Sequence, residues 1–205
     1  MNFLALDTSG GYLTVVAYKN GEVFSTYVPD CAMKQSTLVM GAVDETLKKA
    51  NLTVKECDCF AAVVGAGSFT GIRIGISVAK GFALAYGKPT IPVTSFEVMA
   101  YDGLDGNTLC LVDALHGHYY ACAFDGDTQT LAPVFWDEEE VTAYALQTQA
   151  NLVSLTALEC SEKVRIADPV HGLLCAVQAK AEKGLFGELN ALYVRKSSAE
   201  ENLAK

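Results

Sequence analysis

The chain has 205 residues, 51% of them hydrophobic and 19% charged, and its 24 acidic and 15 basic side chains leave a formal net charge of −9. That length supplies one or two domains with ample core, and the acidic balance argues against the chain holding nucleic acid by itself, since phosphate affinity rests on lysine and arginine. No apolar run is long enough to span a bilayer, so a cytoplasmic protein is expected. Its seven cysteines should then be reduced, buried thiols.

In chain order, residues 3–7 read as a short strand ending in the polar turn Asp7-Thr8-Ser9-Gly10-Gly11. Residues 13–19 and 22–28 are strands around Asn20-Gly21, a strong two-residue hairpin signal. A helix is expected over 33–50 and a strand over 58–64. A glycine-rich turn follows, then a helix over 69–86 with Ser68 as its N-cap and Gly87-Lys88-Pro89 as its stop. Residues 91–94 form another strand and lead to a short helix ending at Tyr101. The best linker is 102–107, which divides the chain into halves 1–103 and 104–205. Charge divides there too: the first half holds 8 basic and 9 acidic residues, the second 7 and 15.

The second half repeats the order. Leu111-Val112-Asp113, like Leu4-Ala5-Leu6-Asp7, ends a strand on aspartate before a turn. Another hairpin follows around Asp125-Gly126-Asp127, then a helix over 137–148. Short strands at 151–155 and 164–166 and a helix over 170–183 complete it. Glu138-Glu139-Glu140 opens the 137–148 helix, where acidic side chains suit the positive end of the dipole, and reads as solvated surface. A three-strand meander followed by helix and strand, occurring twice, predicts an α/β protein of two related halves with mixed sheets flanked by helices. The second half is the reduced one.

Residues 61–75, AAVVGAGSFTGIRIG, are the most distinctive stretch. Gly67, Gly71, Gly75, Ala79, Ala83 and Gly87 recur every four residues and make one smooth ridge on the helix. A glycine inside a helix costs about 1 kcal/mol relative to alanine, so close packing must offset it, either on the chain's own sheet or against another helix. The stretch is no Walker loop, because no lysine occurs before Lys80. It is a poor dinucleotide fingerprint, because Thr70 stands where the third glycine belongs. As a nucleophile elbow it lacks both outer glycines.

The two-half plan resembles the actin-like ATPase and sugar-kinase superfamily, a pair of ribonuclease-H-like halves. There the strand-end aspartates hold metal-bound nucleotide, the places Asp7 and Asp113 occupy here. Either aspartate could equally cap its own turn, and two carboxylates without a nearby phosphate-binding lysine or arginine make a thin kinase site. Asp7-Thr8-Ser9, the 65–75 loop, Ala79-Lys80-Gly81 and Leu111-Val112-Asp113-Ala114 together resemble the TsaB (YeaZ) family. Tyr193-Val194-Arg195 is similar to that family's closing Tyr-x-Arg.

This resemblance implies a subunit without catalysis of its own. It would be a scaffold for the paralogous TsaD, which transfers threonylcarbamoyl to the adenosine beside the anticodon of tRNAs reading codons that start with A. A TsaE-like ATPase joins the same assembly. ATP, ADP and metal then belong to partner subunits, and tRNA is reached only through the complex. The helices at 33–50 and 69–86 are expected to pair with TsaD or with a second copy, through Ser36, Met40, Phe69, Gly71, Ile72, Gly75 and Ala79. Asp7, Thr8, Ser9 and Asp113 are expected to be a degenerate nucleotide site. Ala66 stands where the family has proline, Gln35 where it has histidine, and Leu115 where it has arginine.

The alternatives are enzymes: a nucleotide-dependent phosphotransferase, or a Ser68 hydrolase with Asp113 and His171 in hydrolase chain order. No metal site is expected, because the chain lacks a His-x3-His pair and its cysteines lack zinc spacing. His116 and His118 alternate and could share a face, with structural or surface roles expected.

Overall fold

A computed structural model describes residues 1–103, 106–160 and 163–195. Strands β1 (Phe3–Asp7), β2 (Leu13–Lys19), β3 (Glu22–Val28), β4 (Cys59–Val63) and β5 (Thr90–Val93) form a sheet in the order β3-β2-β1-β4-β5. Strands β6 (Asn107–Asp113), β7 (His118–Asp125), β8 (Thr128–Asp137), β9 (Asn151–Ser154) and β10 (Val164–Ile166) form a second, in the order β10-β9-β6-β7-β8. In both, the central strand carries an antiparallel meander on one side and two parallel strands on the other. The repeat read from pattern is a repeat of topology, and the fold is the two-lobed α/β plan of the actin-like ATPases.

Helices α1 (Gln35–Lys49) and α2 (Phe69–Tyr86) supply the first lobe's crossovers. Helix α4 (Glu138–Thr148) supplies one in the second lobe, but among the described residues no helix joins β9 to β10. That missing crossover is the physical form of the reduction. Helices α3 (Ser95–Tyr101) and α5 (Pro169–Glu182) lie between the two sheets and share one core with both. Helices α1 and α2 cover the outer face of the first sheet, and α4 covers the second.

Alternation places each side chain. In β1 and β4, Phe3, Ala5, Cys59, Ala61 and Val63 enter the shared core, while Leu4, Leu6, Phe60 and Ala62 face α1 and α2. Both strands are buried along their whole length, so they read as continuous apolar runs.

Three boundaries move for local reasons. Helix α1 begins at Gln35, because Met33 takes a left-handed φ of 64° and lies in solvent. Thr94 leaves β5 to become the N-cap of α3, where Glu97 closes a capping box. Part of the expected linker is strand, since β6 begins at Asn107, and residues 104–105 lie outside the described residues. Among the described residues no helix is long and apolar enough to cross a membrane.

Candidate partner face and interlobe cleft

The turn after β1 backs into α2. The Thr8 hydroxyl donates to the Gly71 carbonyl at 2.7 Å and accepts from the Gly75 N–H at 3.0 Å. It therefore sits where the helix's own bond between those two residues would run. A Cβ on Gly71 would meet the Thr8 carbonyl oxygen at 2.0 Å, and one on Gly75 would meet Thr8 Oγ1 at 2.7 Å. Both glycines exist for this approach. Gly67, at φ 146°, sits equally close to the Ser9 carbonyl, which accepts from the Ser68 N–H at 2.7 Å. The Ser68 side chain caps α2 as expected, accepting from the Gly71 N–H at 3.2 Å.

This corrects four expected partner residues. Gly71, Ile72, Gly75 and Ala79 face the chain's own sheet, with Ile72 and Ala79 fully buried there. The smooth ridge is filled by the strand-end turn and by core side chains. Ser36, Met40 and Phe69 are exposed, as a partner face requires. The outward face of α2 runs instead through Arg73, Ser77, Lys80, Gly81 and Leu84, the last 88% exposed. On α1 the outward face runs through Thr37, Met40, Gly41 and Asp44. Gly41 and Gly81 have open space where a Cβ would stand, so no contact within the chain offsets their cost.

The tail after α5 returns to the first lobe. Gly187 pairs with Thr90, and the Leu192 N–H donates to the Val64 carbonyl at 2.7 Å. Tyr193 then stacks on Phe69 at 4.5 Å and its hydroxyl accepts from Arg73 Nε at 2.9 Å. The Arg73 guanidinium lies over Phe69, and that of Arg195 over Phe135 of the second lobe. Phe69 thus reaches the surface as part of a clasp built with the tail. The expectations did not include Arg73, Gly81 or Leu84 on this outward face; the exposed 73, 77, 80/81, 84 spacing on α2 was the signal available.

The expected nucleotide positions are occupied by the chain's own groups. Asp7 is fully buried; its Oδ1 accepts from the Ser9 N–H at 2.8 Å and its Oδ2 from the Tyr12 hydroxyl at 2.8 Å. The Ser95 hydroxyl reaches the Ser9 hydroxyl at 3.2 Å and donates to the Ala66 carbonyl. Between the lobes a cavity of about 40 Å³ remains beside Ser9, Tyr12, Ser95, Val112 and Thr156, and every residue lining it is uncharged. That is room for a few waters, far below the roughly 300 Å³ at which ligand pockets begin. Asp113 is exposed and accepts from the Leu115 N–H at 2.7 Å, capping its own turn.

Burial pushes the Asp7 carboxyl above its ordinary value, against the lowering effect of its bonds from Ser9 and Tyr12. A group raised in the folded state stabilises the fold while protonated, and that contribution is lost as pH rises through the folded value. Asp7→Asn keeps an acceptor for the Ser9 N–H and carries no charge to bury. It should melt above the parent chain at about pH 8, with the gap closing toward about pH 4. Melting curves across that range check this; a gap independent of pH would contradict it.

The hydrolase triad is not assembled. Ser68 is engaged in capping, Asp113 holds its turn, and His171 Nδ1 lies 3.1 Å from Asp102 Oδ1. His118 stacks on Phe135 while its Nδ1 meets the His116 carbonyl. Among the described residues no group of three histidine, cysteine, aspartate or glutamate side chains could hold a metal ion. Cys57 and Cys59 are buried, and burial pushes their thiols up to about 12 and about 11.

Residues 22–171 match the model of the family described as TsaD: tRNA N6-adenosine threonylcarbamoyltransferase. The chain is 28% identical over 145 residues to the Bacillus subtilis tRNA threonylcarbamoyladenosine biosynthesis protein TsaB, covering 70% of this chain and 63% of that protein. It is 29% identical over 147 residues to the Escherichia coli protein of the same name, covering 70% and 62%. The matched stretch thus spans less than two thirds of either relative. Among solved structures, a Pseudomonas aeruginosa protein described as similar to peptidase YeaZ superposes with a TM-score of 0.78 at 21% identity, covering 95% of this chain and 99% of that one.

Proposed function

We propose a function from one premise: this chain belongs to the TsaD family of the actin-like ATPase fold, on its TsaB (YeaZ) branch. The proposed function is that of a non-catalytic subunit in the formation of threonylcarbamoyladenosine beside the tRNA anticodon. In this reading the chain binds and supports a TsaD-like transferase through the outward faces of α1 and α2. A TsaE-like ATPase works in the same assembly, and tRNA, nucleotide and metal are handled by the partners. A second copy could occupy the same face as a homodimer. The proposed setting is the cytoplasm.

The observation that carries the reading is the saturation of the strand-end turn. Asp7, Thr8 and Ser9 spend their polar atoms on Tyr12, Ser95 and α2. A phosphotransferase needs carboxylates free to hold metal-bound nucleotide and a cation near the phosphates. The uncharged 40 Å³ cavity offers neither. The partner face rests on Gly41 and Gly81, two interior helix glycines with open space above them. Only small side chains let another helix backbone approach closely.

Calorimetric titration of ATP with magnesium into the purified chain tests the reading. Alone, the chain should give no binding heat at nucleotide concentrations up to about 1 mM, roughly −4 kcal/mol in affinity. Binding in the micromolar range by the chain alone would instead support the phosphotransferase.

A further inference from the structure

A group of reactive side chains lies away from the cleft, at the crossing of α3 and α5. Gly172 allows that crossing: a Cβ there would stand 2.0 Å from the Val98 carbonyl oxygen. The close approach brings His171 against Asp102, the C-cap residue of α3. The Asp102 side chain is 7% exposed, and its second oxygen is held by Arg165 at 2.6 Å, so the carboxylate is fixed in place. With Nδ1 engaged by Asp102, the ring presents Nε2 to Cys175, one helical turn on, at 3.5 Å from Sγ. Nucleophile, base and orienting carboxylate are thus in sequence, with each neighbouring pair in contact.

We propose that Asp102, His171 and Cys175 form a thiol-activating relay, and that Cys175 is a site of mixed-disulfide formation with low-molecular-weight disulfides. His171 Nε2 takes the thiol proton. The Cys175 thiolate attacks one sulfur of the small disulfide, forming a protein–S–S–R bond as the original S–S bond breaks. The departing thiolate takes the proton from the imidazolium and leaves as a thiol. Cys175 is oxidised and the departing half of the disulfide is reduced, so no further oxidant enters. Burial and the Asp102 charge push the Cys175 thiol up, so its resting form is the thiol and the base is needed.

Position makes the site selective. His171 is 56% exposed and Cys175 is partly exposed. Cys31, Cys57, Cys59, Cys110 and Cys122 are buried, with thiols pushed up by burial. Cys160 is also partly exposed, and has no histidine bonded to it among the described residues, so it serves as the internal control.

The native protein is incubated with excess oxidised glutathione and the adducts are mapped by peptide mass over time. Cys175 should react at least about tenfold faster than Cys160. His171→Gln and Asp102→Asn should each remove that advantage while leaving the Cys160 rate unchanged. Silence at Cys57 and Cys110 reports that each variant is folded, and His171→Gln alone decides the matter if Asp102→Asn fails that control. Reaction at Cys175 no faster than at Cys160, or a Cys175 rate unaffected by His171→Gln, overturns the proposal.

Discussion

Gly71→Ala is expected to lower the melting temperature by about 10 °C, the equivalent of about 3 kcal/mol in a chain of this size. A methyl group there must displace the Thr8 carbonyl, which is backbone at the end of the central strand and cannot rotate away. Moving Thr8 also breaks the hydroxyl bridge between Gly71 and Gly75, and Asp7 and Ser9 move with it. Gly75→Leu acts on the same bridge and should cost a similar amount. Differential scanning calorimetry checks both; a melting temperature within about 2 °C of the parent would contradict the packing described. Protein of either variant that remains folded should keep the proposed partner face, because these glycines point inward.

Gly41→Leu combined with Gly81→Leu should do the reverse. Both positions open to solvent, neither needs a positive φ, and a Cβ at either has no neighbour within 4 Å in the monomer. Each change removes a helix-interior glycine and should stabilise the monomer by up to about 1 kcal/mol. In a helix-on-helix interface each added side chain should instead cost about 1–3 kcal/mol. Together they should weaken association with a TsaD-like partner at least about a hundredfold, the equivalent of about 2.7 kcal/mol. Sedimentation velocity and a melting curve on the double variant read the two effects separately. Unchanged association would remove α1 and α2 as the partner face.

Local signals carried most of the fold. Alternation, the Asn20-Gly21 hairpin and the bounds of the 69–86 helix were legible because each depends on neighbouring residues. The doubled topology was legible from two strands that end on aspartate before a hairpin. The glycine ridge was visible as a smooth face, but periodicity alone does not say what fills it. Its occupant, Thr8, lies 63 residues away from Gly71. The same limit hid the Asp102–His171 contact, which spans 69 residues and depends on Gly172 meeting Val98. Asp7 and Asp113 were recognisable as strand-end carboxylates, yet only the structure shows both Asp7 oxygens committed to the chain's own N–H and hydroxyl groups and Asp113 Oδ1 capping its own turn.

The most direct measurement is reconstituted threonylcarbamoyl transfer to a tRNA that reads codons beginning with A. A threonylcarbamoyl donor and a cognate TsaD-like transferase are supplied, with and without this chain and a TsaE-like ATPase. The chain alone should form no modified adenosine, and adding it should raise the transferase's yield. Asp7→Asn should support transfer as well as the parent, and the Gly41→Leu, Gly81→Leu double variant should not. Transfer by the chain alone, or a yield that the chain leaves unchanged, would contradict the proposed role as a non-catalytic supporting subunit.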